Sequence, residues 1–330
     1  MKTFWFDSLG RLFRARQFVE GGEDWEEQIG IYHPVKGHLA EIQYPSGLHL
    51  DYFYNPQGEL KRVANHATGL AYWTLEGRSA AGQLTQSLAG NGVRTQRSYT
   101  PQGFVASIVS TKPGSVAGSG DIQDNSYKWD NLGNLIRRRV DVTRGGYQED
   151  FSYDELNRLT GNRIWSWDGL GAGAAPPEKP TQSYSYDGFG NMAVKSDKGA
   201  YAYDFGDKPH AVREVELTGG VHTEYFQYDA VGNLTKSVLN DPSFTDDSVV
   251  RKITWTGFNQ PLSVKRGTSL ALEFVYDGDQ SRINQVNDQQ LLLDKYYYAD
   301  AFGGNRSEQN HGSVEGPDHG RQRSGREVCG

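Results

Sequence analysis

The chain has 330 residues, a formal net charge of −7 and a single cysteine, Cys329. One cysteine excludes an internal disulfide framework, and the mildly acidic, mixed charge leaves no electrostatic footprint for DNA or RNA. No apolar run approaches the roughly 20 residues a membrane-spanning helix needs. Glycine is abundant, at 40 residues, and the 36% hydrophobic content leans on aromatics. That balance suits a large thin sheet with many tight turns better than a thick globular core.

The elements follow in chain order. Residues 1–7 run straight into a strand pattern, with no basic start and apolar core of a secretory signal. Residues 4–12 form a first, loose copy of aromatic-x-aromatic-Asp-x-x-Gly-x-Leu. Residues 23–29 suit two helical turns at most, the only helical pattern in the chain. Residues 39–44 and 48–54 are strand-like runs that fill a long gap between copies. A looser copy covers 52–60 and a partial one 99–105. Good copies follow at 127–135, at 151–159, where Asn157 replaces the glycine, at 184–192 and at 226–234. Partial copies sit at 201–207, 255–261 and 274–280. Residues 112–120, 169–180 and 240–247 are Gly-, Pro-, Ser- or Asp-rich and read as surface loops.

The motif has a physical reading. Two aromatics two residues apart share one face of a strand, whereas a helix would separate them. Asp at the start of a turn accepts backbone N–H bonds from two residues on, and Gly takes the φ > 0 position that closes it. The following Leu, Met or Val starts the return strand. Each copy therefore predicts a β-hairpin with a short Gly-containing loop. A unit repeated this often is a structural module rather than one active site.

At Tyr186-Asp187-Gly188-Phe189-Gly190-Asn191-Met192 and Tyr228-Asp229-Ala230-Val231-Gly232-Asn233-Leu234 the chain resembles the YD repeats of the Rhs family. That family includes Rhs polymorphic toxins, the C component of insecticidal toxin complexes and the teneurin shell. Residues 203–212 resemble a spacer common in Rhs cores. The resemblance covers most of residues 1–300. It implies a spiral β-sheet that closes as a hollow shell, enclosing a toxic C-terminal polypeptide in bacterial members and supporting adhesion in teneurins. It also implies an Asp-Pro-x-Gly-Leu self-cleavage segment and a toxin. Here the only Asp-Pro is Asp241-Pro242, followed by Ser-Phe, so the chain reads as an internal or truncated piece of such a core.

Other constellations give way to structural readings. Gly169-Leu170-Gly171-Ala172-Gly173 lacks the βαβ context of a nucleotide loop. His33 and His38 read as separate surface histidines, and His311, His319 and Cys329 are too loosely spaced for a zinc site. The repeated aspartates Asp130, Asp154, Asp187, Asp229 and Asp277 are assigned to turns rather than to acid–base or calcium chemistry. Arg137-Arg138-Arg139 reads as strand surface charge, and the Asn233 and Asn305 sequons as incidental. Trp165, Trp167 and Trp255 are candidates for a carbohydrate surface.

The expectation is an all-β array of tandem antiparallel hairpins spiralling into part of a hollow β-shell. Residues 1–302 form this segment and 303–330 a disordered tail, whose composition cannot bury enough apolar surface to offset chain entropy. The chain is read as a non-enzymatic wall, without catalytic, cofactor-binding or metal residues and without cofactors, that encapsulates or presents a toxin polypeptide. The partners are that cargo and the remaining shell segments, with no nucleic acid and no membrane span. The location is secreted or cell-surface as part of a larger protein. The alternative is an extracellular adhesion or carbohydrate-binding module, with glycans as partners.

Overall fold

The computed structural model describes residues 2–18, 26–116, 118–142, 145–167, 181–203, 206, 208–245, 248–267, 269–286, 294–298 and 307–311. Within them the chain forms strands and turns and no α-helix. The strands begin with β1 (Lys2–Phe6), β2 (Leu12–Gln17), β3 (Glu26–Tyr32), β4 (Leu39–Gln43), β5 (His49–Tyr54), β6 (Leu60–Asn65), β7 (Ala71–Arg78), β8 (Leu84–Ala89) and β9 (Arg94–Tyr99). They continue with β10 (Val105–Thr111), β11 (Gln123–Trp129), β12 (Leu135–Val142), β13 (Gly145–Tyr153), β14 (Leu159–Trp167), β15 (Gln182–Tyr186), β16 (Met192–Lys195) and β17 (Gly199–Tyr203). The series ends with β18 (Val212–Leu217), β19 (Thr223–Tyr228), β20 (Leu234–Leu239), β21 (Val249–Trp255), β22 (Pro261–Arg266), β23 (Ser269–Tyr276), β24 (Arg282–Val286), β25 (Asp294–Tyr298) and β26 (Ser307–His311).

Pairing is antiparallel between chain neighbours, from β1 to β3, from β5 to β16 and from β17 to β26. The all-β expectation holds. The helical reading of 23–29 fails at 26–29, because Glu26–Tyr32 is β3, paired with β2, and residues 23–25 lie outside the described residues. Its Gln28 and Gly30 are buried while Ile31 is exposed, so the strand alternates and the helical spacing was coincidental. Of residues 303–330, Ser307–His311 form β26 against β25, and the remainder lies outside the described residues, as does the 169–180 loop.

Two compact units emerge. One comprises Met1–Ile31, Ile42–Gly47 and Lys198–Gly330; the other comprises Tyr32–Glu41 and Leu48–Asp197. Among the described residues the largest fully buried side chains are only those of Ile42, Val238 and Ser237. Such a sparse core is what strands with one wet face produce, so most cohesion must come from backbone ladders and from bonds between hairpins.

Candidate functional site

The hairpin is the recurring unit of the chain, and the turns that begin with aspartate share one device. At Asp187 the backbone N–H bonds the Asn191 carbonyl at 2.9 Å, and the Gly190 N–H bonds the Asp187 carbonyl at 3.1 Å. One carboxylate oxygen accepts the N–H groups of Phe189 and Asn191, both at 2.9 Å, and the other accepts the Asn191 amide at 3.0 Å. Asp130 and Asp229 repeat this with Asn134 and Asn233, while Asp7 and Asp154 use Arg11 and Arg158. The turn reading of the aspartates is thereby confirmed. Protein donors converge on each carboxylate, and the Asp130 and Asp154 carboxyls are held below the usual range by those bonds, chiefly from Asn134 and Arg158.

Gly190 closes its turn at φ 87°, a region that costs an L-residue roughly 1–2 kcal/mol. Asn157, Asn259 and Gln280 occupy the same position at φ 60°, 61° and 60°. Asn tolerates this conformation through its short polar side chain, and Gln does not share that advantage. Gln280→Gly is therefore expected to stabilise the fold by about 0.5 kcal/mol, the relief being partly offset by glycine's greater chain entropy. A urea midpoint that falls would contradict this.

The second aromatic of each motif has a further role that spacing alone does not reveal. The register slips by a bulge at this residue in every copy, so that Tyr228 lies opposite Leu234, Trp129 opposite Leu135 and Tyr153 opposite Leu159. The side chain then donates a hydrogen bond to the hairpin before it. Tyr99 Oη bonds the Leu84 carbonyl at 2.7 Å, Trp129 Nε1 bonds Val105 at 2.8 Å, Tyr153 bonds Leu135 at 2.9 Å and Tyr186 bonds Leu159 at 2.8 Å. In the other unit Tyr228 bonds Val212 at 2.9 Å, Trp255 Nε1 bonds Leu234 at 2.8 Å and Tyr276 bonds Pro261 at 2.7 Å. Each acceptor is the residue that faces the second motif position of its own hairpin, an aromatic in every case but Leu84, which faces Arg78. The ladder explains why this position takes Tyr or Trp, which carry a donor. Phe stands there only in the first copy, as Phe6, which is 61% exposed.

The residue before the turn glycine is a second signal that sequence reading passed over as variable. Leu9, Leu132, Leu156, Phe189 and Val231 all project from turn tips with at least 70% exposure. Turn geometry leaves this position largely exposed, so burial in its own hairpin does not account for its apolar character.

Several candidates resolve individually. Arg137, Arg138 and Arg139 are ion-paired with Asp150, Glu149 and Asp141 at 2.5, 2.6 and 2.7 Å, as strand surface charge should be. His33 and His38 are not separate: their rings lie 5.2 Å apart. His33 Nδ1, however, accepts the Val35 and Lys36 N–H groups, so His33 caps a turn where other hairpins use Asp. The carbohydrate candidates are engaged elsewhere. Trp255 belongs to the ladder, and the Arg163 guanidinium covers the Trp165 ring at 3.5 Å. The Trp167 side chain, the Gly169–Gly173 run, Asn305, His319 and Cys329 lie outside the described residues. Turn-bound Asn233 bonds Asp229 and Asn259.

No family model and no curated protein matches the chain. Solved structures do. The chain is similar to TcdB2-TccC3-Cdc42 over 95% of its length, with a TM-score of 0.61 at 18% identity. The figures for TcdB2-TccC3 are also 95%, 0.61 and 18%. The chain has the YD-repeat fold. A third structure, TcdB2-TccC3 without its hypervariable C-terminal region, gives a TM-score of 0.61 at 17% identity over 95% of the chain. This chain spans 18% of the length of each of these proteins. The tyrosine and aspartate of the YD repeat now have distinct tasks: Asp builds its own turn, and Tyr ties that hairpin to the previous one.

Proposed function

We propose that the chain is a non-enzymatic wall segment of a larger YD-repeat enclosure that holds a toxin polypeptide. The observation that carries this reading is the ladder. Its bonds are spent on joining one hairpin to the next, so the repeats extend a surface and do not converge on a reactive centre. The likeness to TcdB2-TccC3, which is also known without its hypervariable C-terminal region, supports a polypeptide as the cargo. A continuous sheet also protects strand edges by pairing them, an advantage for a wall. The engaged state of Trp165 and Trp255 argues against a glycan-binding surface. The proposed location is outside the producing cell, as part of the larger assembly. Among the described residues no helix is long and apolar enough to cross a membrane.

The test is limited trypsinolysis of the chain expressed with its flanking coding segments. The enclosed polypeptide is expected to resist cleavage until the β-structure is unfolded. Digestion at the rate of the same polypeptide alone would refute the enclosure.

A further inference from the structure

Four side chains at irregular sequence positions meet on one face of the second unit. Glu41 comes from β4, His49 and Asp51 from β5, and His66 from the turn after β6. His49 and Asp51 are two apart on one strand and so share a face. The His66 N–H bonds the His49 carbonyl at 2.9 Å, extending the β5–β6 ladder by one step and setting the two histidines side by side across the strands. Their rings stack at 3.8 Å with 17° between planes. His49 Nε2 lies 2.9 Å from a Glu41 carboxylate oxygen, and His66 Nδ1 lies 2.7 Å from Asp51.

We propose that Glu41, His49, Asp51 and His66 form a binding site for one late first-row divalent cation of the zinc type. The four donor atoms all lie within 4.8 Å of one another. A tetrahedral zinc site with bonds of about 2.0–2.1 Å needs its donors roughly 3.3 Å apart. Small side-chain rotations supply that closure, since His66 is exposed and the other three are only half-buried. Two imidazoles and two carboxylates are a donor set that suits zinc, and they leave it formally neutral. One dication bound by the ring nitrogens and carboxylate oxygens pins β4, β5 and the β6–β7 turn together.

The experiment is calorimetric titration of the 330-residue chain with zinc chloride at pH 7.5 and 5.5. One high-affinity equivalent is expected at this cluster, weakening at pH 5.5 as ligand protonation competes. His66→Ala and Glu41→Gln are expected to lower the affinity on the order of tenfold or more. Because His66 is exposed, its variant keeps the urea midpoint of the parent in EDTA, which separates lost binding from lost folding. A background carrying His311→Ala, His319→Ala and Cys329→Ala excludes donors near the C-terminus, and binding is expected to persist in it. Unchanged affinity in both His66→Ala and Glu41→Gln, or loss of binding in that background, overturns the proposal.

Discussion

Replacing Tyr228 by alanine is expected to destabilise its unit by about 2–3 kcal/mol, below the roughly 3–5 kcal/mol for removing a fully buried aromatic. Tyr228 is half-buried, and burial raises its phenol pKa even though the Val212 carbonyl bond pulls the other way. Two contributions are separable. Tyr228→Phe keeps the ring and removes only the O–H, leaving the Val212 carbonyl without that donor. This variant is expected to cost about 1–2 kcal/mol. Tyr228→Trp restores a donor at a position where Trp129 and Trp255 already serve, and should recover part of the loss. Urea denaturation of the three variants measures the order; equal stability of Tyr228→Phe and wild type would show that the bond contributes nothing.

The second large effect is expected at Lys2 and Asp277. These residues, far apart in the sequence, meet within one unit at 2.5 Å, with side-chain exposures of 13% and 3%. Asp277 also caps its own turn, accepting the Asp279 and Ser281 N–H groups at 2.9 Å. Lys2→Met leaves a buried carboxylate without its cation and is expected to cost about 3 kcal/mol. Adding Asp277→Asn should return part of that, because no unpaired charge then remains. Burial pushes the Asp277 carboxyl up, but the Lys2 and Ser281 bonds outweigh it and leave the pKa below the ordinary 3.8. A folded-state pKa below the unfolded value contributes stability that is present above the unfolded pKa and is lost as pH falls through the folded one. The urea midpoint of the wild type should therefore decline below about pH 4, and Lys2→Met should flatten that decline. A midpoint with the same acid slope in both proteins would contradict the assignment.

Much of the fold was legible because the turn chemistry is local. Asp and Gly at fixed offsets specify the bend, and two aromatics in alternate positions specify one strand face. Copies with Ser79, Thr100 or Thr256 in place of Asp fold the same way, since a hydroxyl also caps the return strand N–H. The hairpin of β7 and β8 went unrecognised because Arg78 replaces the second aromatic. The hairpins turning at His33 and Asn65 escaped notice for a different reason. Their loops are one residue longer, with Gly37 and Gly69 bonding back four residues instead of three. The ladder itself was invisible: its acceptors are carbonyls, which every residue has, and the bulge decides which one faces the next tyrosine. The Glu41, His49, Asp51 and His66 cluster was likewise hidden, because only strand register makes neighbours of positions with no helical or motif spacing.

Motif aromatics bond their hairpins to the preceding ones, and the joined hairpins are expected to open together. Native-state hydrogen exchange of Tyr228→Phe against wild type tests it most directly. Faster exchange is expected on both sides of the lost bond, in Val212–Leu217 as well as in Thr223–Tyr228 and Leu234–Leu239. A change confined to the hairpin that carries Tyr228, with Val212–Leu217 as protected as before, would contradict the account.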